Sequence, residues 1–330
     1  MSIAALTRLV STRLAAVLLG AVIFASVAAA ADEKVVIGWS SADSTFGPLF
    51  YAQEKGYFKK HGLDVNFVFL DSGAKGMQGL VGGAVDMLGA DGFSVVNAGL
   101  SGIDVRVVAS LVGVLSGRVV AAKDIHTAQD LKGKKWGISS FGSEAQLAEK
   151  LFLKANGLPE SSVTEVQLGN QGNRFAALEA GQISASTFLP PVVAKVEAAG
   201  YHVLAQLPEI APEYMSAVHA TLASTIAKRR PMVKAYLEAM AEATAALKKD
   251  RAGGIEIFKK YLKANEEDAG LAWDYYAPLY PANLRPTAKS VQFLLDQSTD
   301  PKGKTMTPAN FLDLSLLDEL ESAGFFKTLN

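Results

Sequence analysis

The chain has 330 residues, 49% hydrophobic and 20% charged, with a formal net charge of -1. Such a composition describes a folded globular protein long enough for two domains; it excludes a disordered chain and the basic face that nucleic-acid binding needs. The lack of cysteine excludes thiol nucleophiles, disulfides, thiolate zinc sites and iron–sulfur clusters.

The first segment carries Arg8 and Arg13 and then LAAVLLGAVIFASVAAAAD. A basic start, an apolar run and an A-x-A-like end are the layout of a secretory signal peptide, with cleavage expected near Ala31. The purely apolar run is shorter than the ~20 residues a membrane span requires. The mature chain is therefore expected to be soluble, not membrane-inserted, and, with no Cys at the cleavage site, not lipid-anchored.

KVVIGWS reads as a first strand, Val35–Trp39, followed by the loop SSADSTFG. Pro48 suits a first helical position, and the helix from 48 is expected to run to Gly62. LDVNFVFL is a strand, DSGAKGMQGLVGG a helix capped at Ser72, AVDMLGA a strand, DGFSVVNAGLSG a short helix and IDVRVVASLVG another strand. The pattern restarts with the strand GRVVAAKD and the strand ending in KKWGISS. In the next helix Ser143 and Gln146 have the spacing of a capping box, and Gly157 ends it. VTEVQLG, ISASTF and YHVLAQL are strands, with NRFAALEAG and PPVVAKVEAAG as helices between them. After Pro208 comes a returning strand, EYMSAVHATLAST, and then mostly helix, in which Trp273, Tyr275, Tyr276 and Tyr280 are expected to pack helices together. Alternating strands and helices imply parallel βαβ units with both sheet faces covered.

The stretch Gly79–Gly102 and the stretch Ala177–Gly200 have equal length and match at Leu80 and Leu178, Gly83 and Gly181, Val85 and Ile183, Val95 and Val193, and Gly102 and Gly200. The repeat implies two α/β lobes in one chain. Lobe one is expected to span 32–116, lobe two 117–210, and 211–330 to return to lobe one and supply the C-terminal helices. Two crossings make a hinge, and two lobes make a cleft.

Ligands of open parallel sheets bind beyond the carboxyl ends of the strands, where helix N-termini offer free N–H groups. Six loops meet that rule: SSADSTF, DSGAK, GADGFS, SSFGSE, GNQGNR and STFLPP. Taken singly, their Ser, Asp and Gly are ordinary helix caps; taken together they describe a site for a small oxygen-rich solute. The candidate set is Ser40, Asp43, Thr45, Phe46, Ser72, Gly73, Asp91, Gly92, Phe93, Arg118, Ser140, Gly142, Ser143, Gln171 and Phe188. Lys75, Arg118 and Arg174 are the nearest cations, and Asp43 and Asp91 oppose them. Phe46, Phe93, Phe141 and Phe188 either stack on a flat ligand or pack beneath the loops. No G-x-S-x-G elbow, phosphate loop or dinucleotide fingerprint is present, and none of the four histidines falls in a candidate loop. Neither a cofactor nor a metal is expected.

PLFYAQEKGYFKKHGLDVNFVFLDSGAKGMQGLVGGAVDMLGADGFSVVNAGLSG and DLKGKKWGISSFGSEAQLAEKLFLKANGL, followed by RFAALEAGQISASTFLPP, resemble the periplasmic solute-binding proteins of the nitrate/sulfonate/bicarbonate class of ABC importers, which also includes binders of thiamine pyrimidine precursors. The resemblance runs from about Val35 to Leu247. It implies an α/β, type II two-lobed fold, a monomer, and ligand contacts at Ser40–Phe46, Ser72–Gly73, Asp91–Phe93 and Ser140–Ser143. Phe188-Leu189-Pro190 departs from the acidic or aromatic pair of many relatives and favours a ligand with an apolar part. The related thiamine-pyrimidine synthase enzymes need a Cys-rich motif that this chain lacks.

The expectation is thus a periplasmic receptor, not an enzyme, that delivers a small organic anion of sulfonate or carboxylate type to an ABC permease and its cytoplasmic ATPase. The alternatives are a receptor for a neutral pyrimidine, a secreted hydrolase using Asp43 or Asp91, and an extracytoplasmic sensory protein.

Overall fold

The computed structural model describes residues 32–190 and 192–329. The signal-peptide reading therefore lies outside the described residues. Among the described residues, ten strands form two five-stranded sheets. They are β1 (Glu33–Trp39), β2 (Leu63–Phe69), β3 (Met87–Ala90), β4 (Val105–Val112), β5 (Arg118–Ala121), β6 (Lys134–Ile138), β7 (Val163–Gln167), β8 (Ala185–Phe188), β9 (His202–Gln206) and β10 (Ala217–Leu222). The first sheet has the order β2-β1-β3-β10-β4 and the second β7-β6-β8-β5-β9.

These two orders are one topology used twice. In each sheet the first strand of the unit is flanked by two parallel partners, β2 and β3 in one, β7 and β8 in the other. In each, a strand arriving from elsewhere in the chain is inserted antiparallel: β10 between β3 and β4, β5 between β8 and β9. A wholly parallel reading of the βα alternation is corrected at these two strands, because strand periodicity carries no sign of direction.

The helices are α1 (Gly47–Glu54), α2 (Tyr57–Lys60), α3 (Gly73–Val81), α4 (Gly92–Leu100), α5 (Glu144–Ala155), α6 (Gln171–Glu179), α7 (Val192–Ala198), α8 (Leu207–Ile210), α9 (Ala223–Lys228), α10 (Arg230–Leu247), α11 (Arg251–Leu262), α12 (Glu266–Tyr276), α13 (Ala288–Asp296) and α14 (Ser315–Ser322). The expected helix from 48 to 62 is broken at Gly56, whose φ of 74° no helix accommodates. The sequence repeat corresponds in register to α3–β3–α4 and α6–β8–α7. The caps repeat too: Ser72 accepts from the Lys75 N–H and Asn170 from the Asn173 N–H.

One core lies between the first sheet and the C-terminal helices. Met232, Val233, Tyr236, Leu237, Met240 and Leu247 form the buried stripe of α10 over Phe50, Phe58 and Ala52. Each such large apolar side chain contributes about 1.5–3 kcal/mol on burial. A second core runs from α4 and β4 through the crossings to Trp136, Leu147 and Phe152 behind β6.

The two segments that join the sheets run side by side. Leu115 N–H donates to Ala211 C=O at 3.1 Å, Tyr214 N–H to Gly113 C=O at 2.9 Å, and Ser116 N–H to Ser216 Oγ at 3.1 Å. Gly117 has φ 96°, and a Cβ there would lie 2.6 Å from the Phe188 carbonyl, so only glycine serves where the chain enters the second sheet.

Candidate functional site

The strands end in loops that face one another, and a cavity of about 70 Å³ lies between the sheets. From the first sheet it is lined by Ser40, Ser41, Asp43, Thr45 and Phe46 after β1, Asp71, Ser72 and Gly73 at the start of α3, and Asp91 at the start of α4. The second sheet supplies Ser139 after β6, Ser143, Glu144, Ala145 and Ala148 of the loop and α5, and Asn170, Gln171 and Arg174 of α6, with Thr187, Phe188 and Leu189 after β8. Ser116, Leu207 and Ser216 come from the crossings.

Ten of the expected residues therefore meet at one cavity: Ser40, Asp43, Thr45, Phe46, Ser72, Gly73, Asp91, Ser143, Gln171 and Phe188. Five do not line it. Gly92 packs on the crossing, its N–H on Met215 C=O at 2.8 Å, with no room for a Cβ. Phe93 points into the core under α4. Ser140 lines an outer hollow with Asp71 and Lys75, and Gly142 a second one against α3 and α4. Arg118 is held on the far side of β5, donating to Gln206 Oε1 at 2.9 Å and Glu197 Oε1 at 2.6 Å. Lys75 is exposed and pairs with Asp71. Of the aromatics, Phe46 and Phe188 are buried walls of the cavity, while Phe141 is 58% exposed outside it.

The expected capping box is not formed. Ser143 stands at the N-cap of α5, but its hydroxyl donates to Ser140 C=O at 2.6 Å. Gln146 reaches past it to the Gly142 N–H at 2.7 Å and holds Glu165 with its amide. The left-handed turn at Gly142, φ 75°, brings the Ser140 carbonyl over the hydroxyl and takes it first.

Two of the cavity's acids are caps. Asp43 accepts from the Thr45 N–H at 2.8 Å and from the Thr45 hydroxyl. Asp91 accepts from the Ser94 N–H and hydroxyl, both at 2.8 Å. Gly73 has to be glycine because a Cβ would fall 2.4 Å from Asp91 Oδ2 and 2.2 Å from Ser94 Oγ. Burial raises both carboxyls above the usual aspartate range in spite of these bonds.

Glu144 and Arg174 complete the set. Glu144 is the first residue of α5; its Oε2 is buried with no hydrogen-bond partner. Burial, then the charge of Asp91, pushes its carboxyl well above the glutamate range. Arg174 is 6% exposed and its Nε has no partner. Burial pulls it down to about 10, while Asp43 and Glu144 pull the other way, so it remains a cation at neutral pH. Glu144 was overlooked because an acid in a first turn reads as a dipole partner. Arg174, one of the nearest cations in the sequence, lies one turn past the Asn170 cap, on the face that the cap directs to the cleft. Among the described residues no three potential metal ligands come together.

The hydrogen bonds that cross the cleft are long. Asn170 Nδ2 donates to Asp71 Oδ1 at 3.3 Å, Ser94 Oγ and Asn97 Nδ2 to Gly142 C=O at 3.4 Å, and Gln171 Nε2 to Ala42 C=O at 3.5 Å. These are at the weak edge of hydrogen bonding, unlike the 2.9–3.1 Å bonds between the crossings.

A family model described as NMT1/THI5 like matches residues 43–252. Solved structures with the same fold include a protein of Bordetella bronchiseptica RB50, with 22% identity, TM-score 0.78, and coverage of 88% of this chain and 98% of that one. The alkanesulfonate-binding protein SsuA from Xanthomonas axonopodis pv. citri, bound to MOPS, has 20% identity, TM-score 0.67, and coverage of 81% and 93%. The periplasmic nitrate-binding protein NrtA from Synechocystis PCC 6803 has 15% identity, TM-score 0.75, and coverage of 88% of each chain. The comparison with curated proteins finds no match.

Proposed function

Because the chain belongs to the NMT1/THI5 like family, we propose that it is a periplasmic receptor that closes over a small polar solute and delivers it to an ABC permease. The observation that carries this reading is the cavity between two like sheets, lined by three loop or helix starts from each side of one cleft. In this reading lobe one spans 32–116 and 211–330, and lobe two 117–210. The paired crossings act as the hinge. A solute that touches both lobes favours the closed form, because the hydrogen bonds across the cleft are long and the Lys195–Asp268 ion pair between the lobes is a single pair with a half-exposed lysine. Several like-folded structures carry names of binding proteins for alkanesulfonate or nitrate, which supports a solute-binding role. A binding role is favoured over a hydrolytic one because Asp43 and Asp91 each serve as a cap at a helix start.

Arg174 supplies the cation for the sulfonate or carboxylate head of an organic anion. Phe46, Phe188, Leu189 and Leu207 supply the apolar wall for the rest. A thermal-shift panel of sulfonates, carboxylates, nitrate and small heterocycles on the stripped mature protein tests the reading. A cognate solute at ~100 times its Kd stabilises the fold by ~2.7 kcal/mol. A panel without any shift speaks against a receptor for these classes.

A further inference from the structure

The anion reading answers Arg174 but leaves Asp43, Asp91 and Glu144 with one cation among three carboxylates. Asp43 and Asp91 stand on lobe one and Glu144 on lobe two, all lining one cavity that holds a single arginine. The starts of α4 and α5 meet here, with Ser94 Oγ and Asn97 Nδ2 3.4 Å from the Gly142 carbonyl. Closure thus carries Glu144 up to Asp91, two like charges meeting across the cleft. Neither Glu144 Oε2 nor Arg174 Nε has a partner, although both are buried. A buried polar atom without a hydrogen bond is unfavourable, so each atom is left for something that enters with the solute.

We propose, resting on the receptor reading above, that the solute is amphoteric: a cationic nitrogen group lies between Asp91 and Glu144, and a separate acceptor group lies on Arg174. The cation is then what shuts the cleft. With it, Glu144 stays ionised and joins Asp91 through the ligand. Without it, Glu144 must take up a proton or hold its charge against Asp91 and Asp43 with only Ser216 and Arg174 to offset them, and either cost keeps the empty receptor open. A simple anion would close only over Arg174 and would leave the Asp91–Glu144 repulsion in place.

Two measurements on the stripped mature protein test this. The first titrates matched pairs differing only in the nitrogen: taurine with ethanesulfonate, β-alanine with propionate, aminomethylpyridine with methylpyridine. The amine-bearing member of at least one pair is expected to bind about thirtyfold tighter or more, and Glu144→Gln is expected to erase most of that difference. The aliphatic and heteroaromatic arms separate the two kinds of carrier. Equal binding within every pair, including none by either member, overturns the proposal. The second measurement needs no ligand. Small-angle scattering should show empty Glu144→Gln more compact than empty wild type, because the repulsion across the cleft is gone. Identical profiles overturn the cation-driven closure. A nitrogen-free anion that binds tightly and closes the cleft would sink this proposal while leaving the receptor reading intact.

Discussion

Replacing Arg174 by Ala is expected to cost about 2–5 kcal/mol of binding free energy, the usual loss when one partner of a buried charged contact is truncated. Among the described residues Arg174 is the only guanidinium lining the cavity; it is 6% exposed, and its Nε is unpartnered. The truncation removes the acceptor's partner and also the one positive charge that offsets Asp43 and Glu144. Arg174→Lys should recover part of the loss, since a point charge replaces the fork. Arg118→Ala is the control: that side chain is tied to Gln206 and Glu197 outside the cavity, and its removal should leave affinity unchanged. Titration calorimetry with any solute that passes the thermal-shift panel checks both. Loss at Arg118 with none at Arg174 would put the site elsewhere.

Acid should weaken the fold through His219. This side chain is fully buried in β10, with Nδ1 2.6 Å from the Tyr236 hydroxyl and Nε2 unpartnered. Burial pulls its pKa down to about 3 from the ordinary 6.5. Below pH 6.5 the unfolded chain takes a proton at this position that the folded chain refuses. The stabilisation is therefore full above pH 6.5 and is lost as pH falls toward 3, at ~1.4 kcal/mol per unit, or about 3 kcal/mol by pH 4. Buried acids act in the opposite sense. Glu149, pushed up to about 8 by burial and then by Glu165, takes its proton in the folded state first and favours folding as pH falls. The His219 contribution is consequently read as a difference. In denaturant titrations, the gap between wild type and His219→Asn should shrink by about 3 kcal/mol between pH 7 and pH 4. A gap independent of pH would mean that His219 is protonated, or accessible, in the folded protein.

Much of the architecture was legible because it rests on periodicity and punctuation. The Gly79–Gly102 and Ala177–Gly200 repeat marks α3–β3–α4 and α6–β8–α7, and Gly83, Gly181, Gly102 and Gly200 all adopt the positive φ that made them visible as breaks. Strand direction was not legible. Nothing in GRVVAAKD or SAVHATL says that β5 and β10 enter antiparallel, since that follows from where the crossings deliver them. In the site, the cap residues Asp43, Ser72 and Asp91 could be named because capping is a local rule. Arg118 misled because its neighbours Glu197 and Gln206 lie far along the chain and become partners only through β9 and α7. Glu144 escaped for the converse reason: its meaning as a second acid opposite Asp91 exists only when two lobes meet.

Closure around the cavity is the central claim, and a distance across the cleft tests it most directly. The chain has no cysteine, so Lys75→Cys and Asn173→Cys place two spin labels without background. Both positions are exposed on opposite rims of the outer hollow above the cavity. With a solute that stabilises the protein, pulsed electron resonance should give one short, narrow distance. In the stripped protein the distribution should move to longer distances or split in two. A distribution unchanged by solute would contradict the hinge, and with it the account of how this protein holds its ligand.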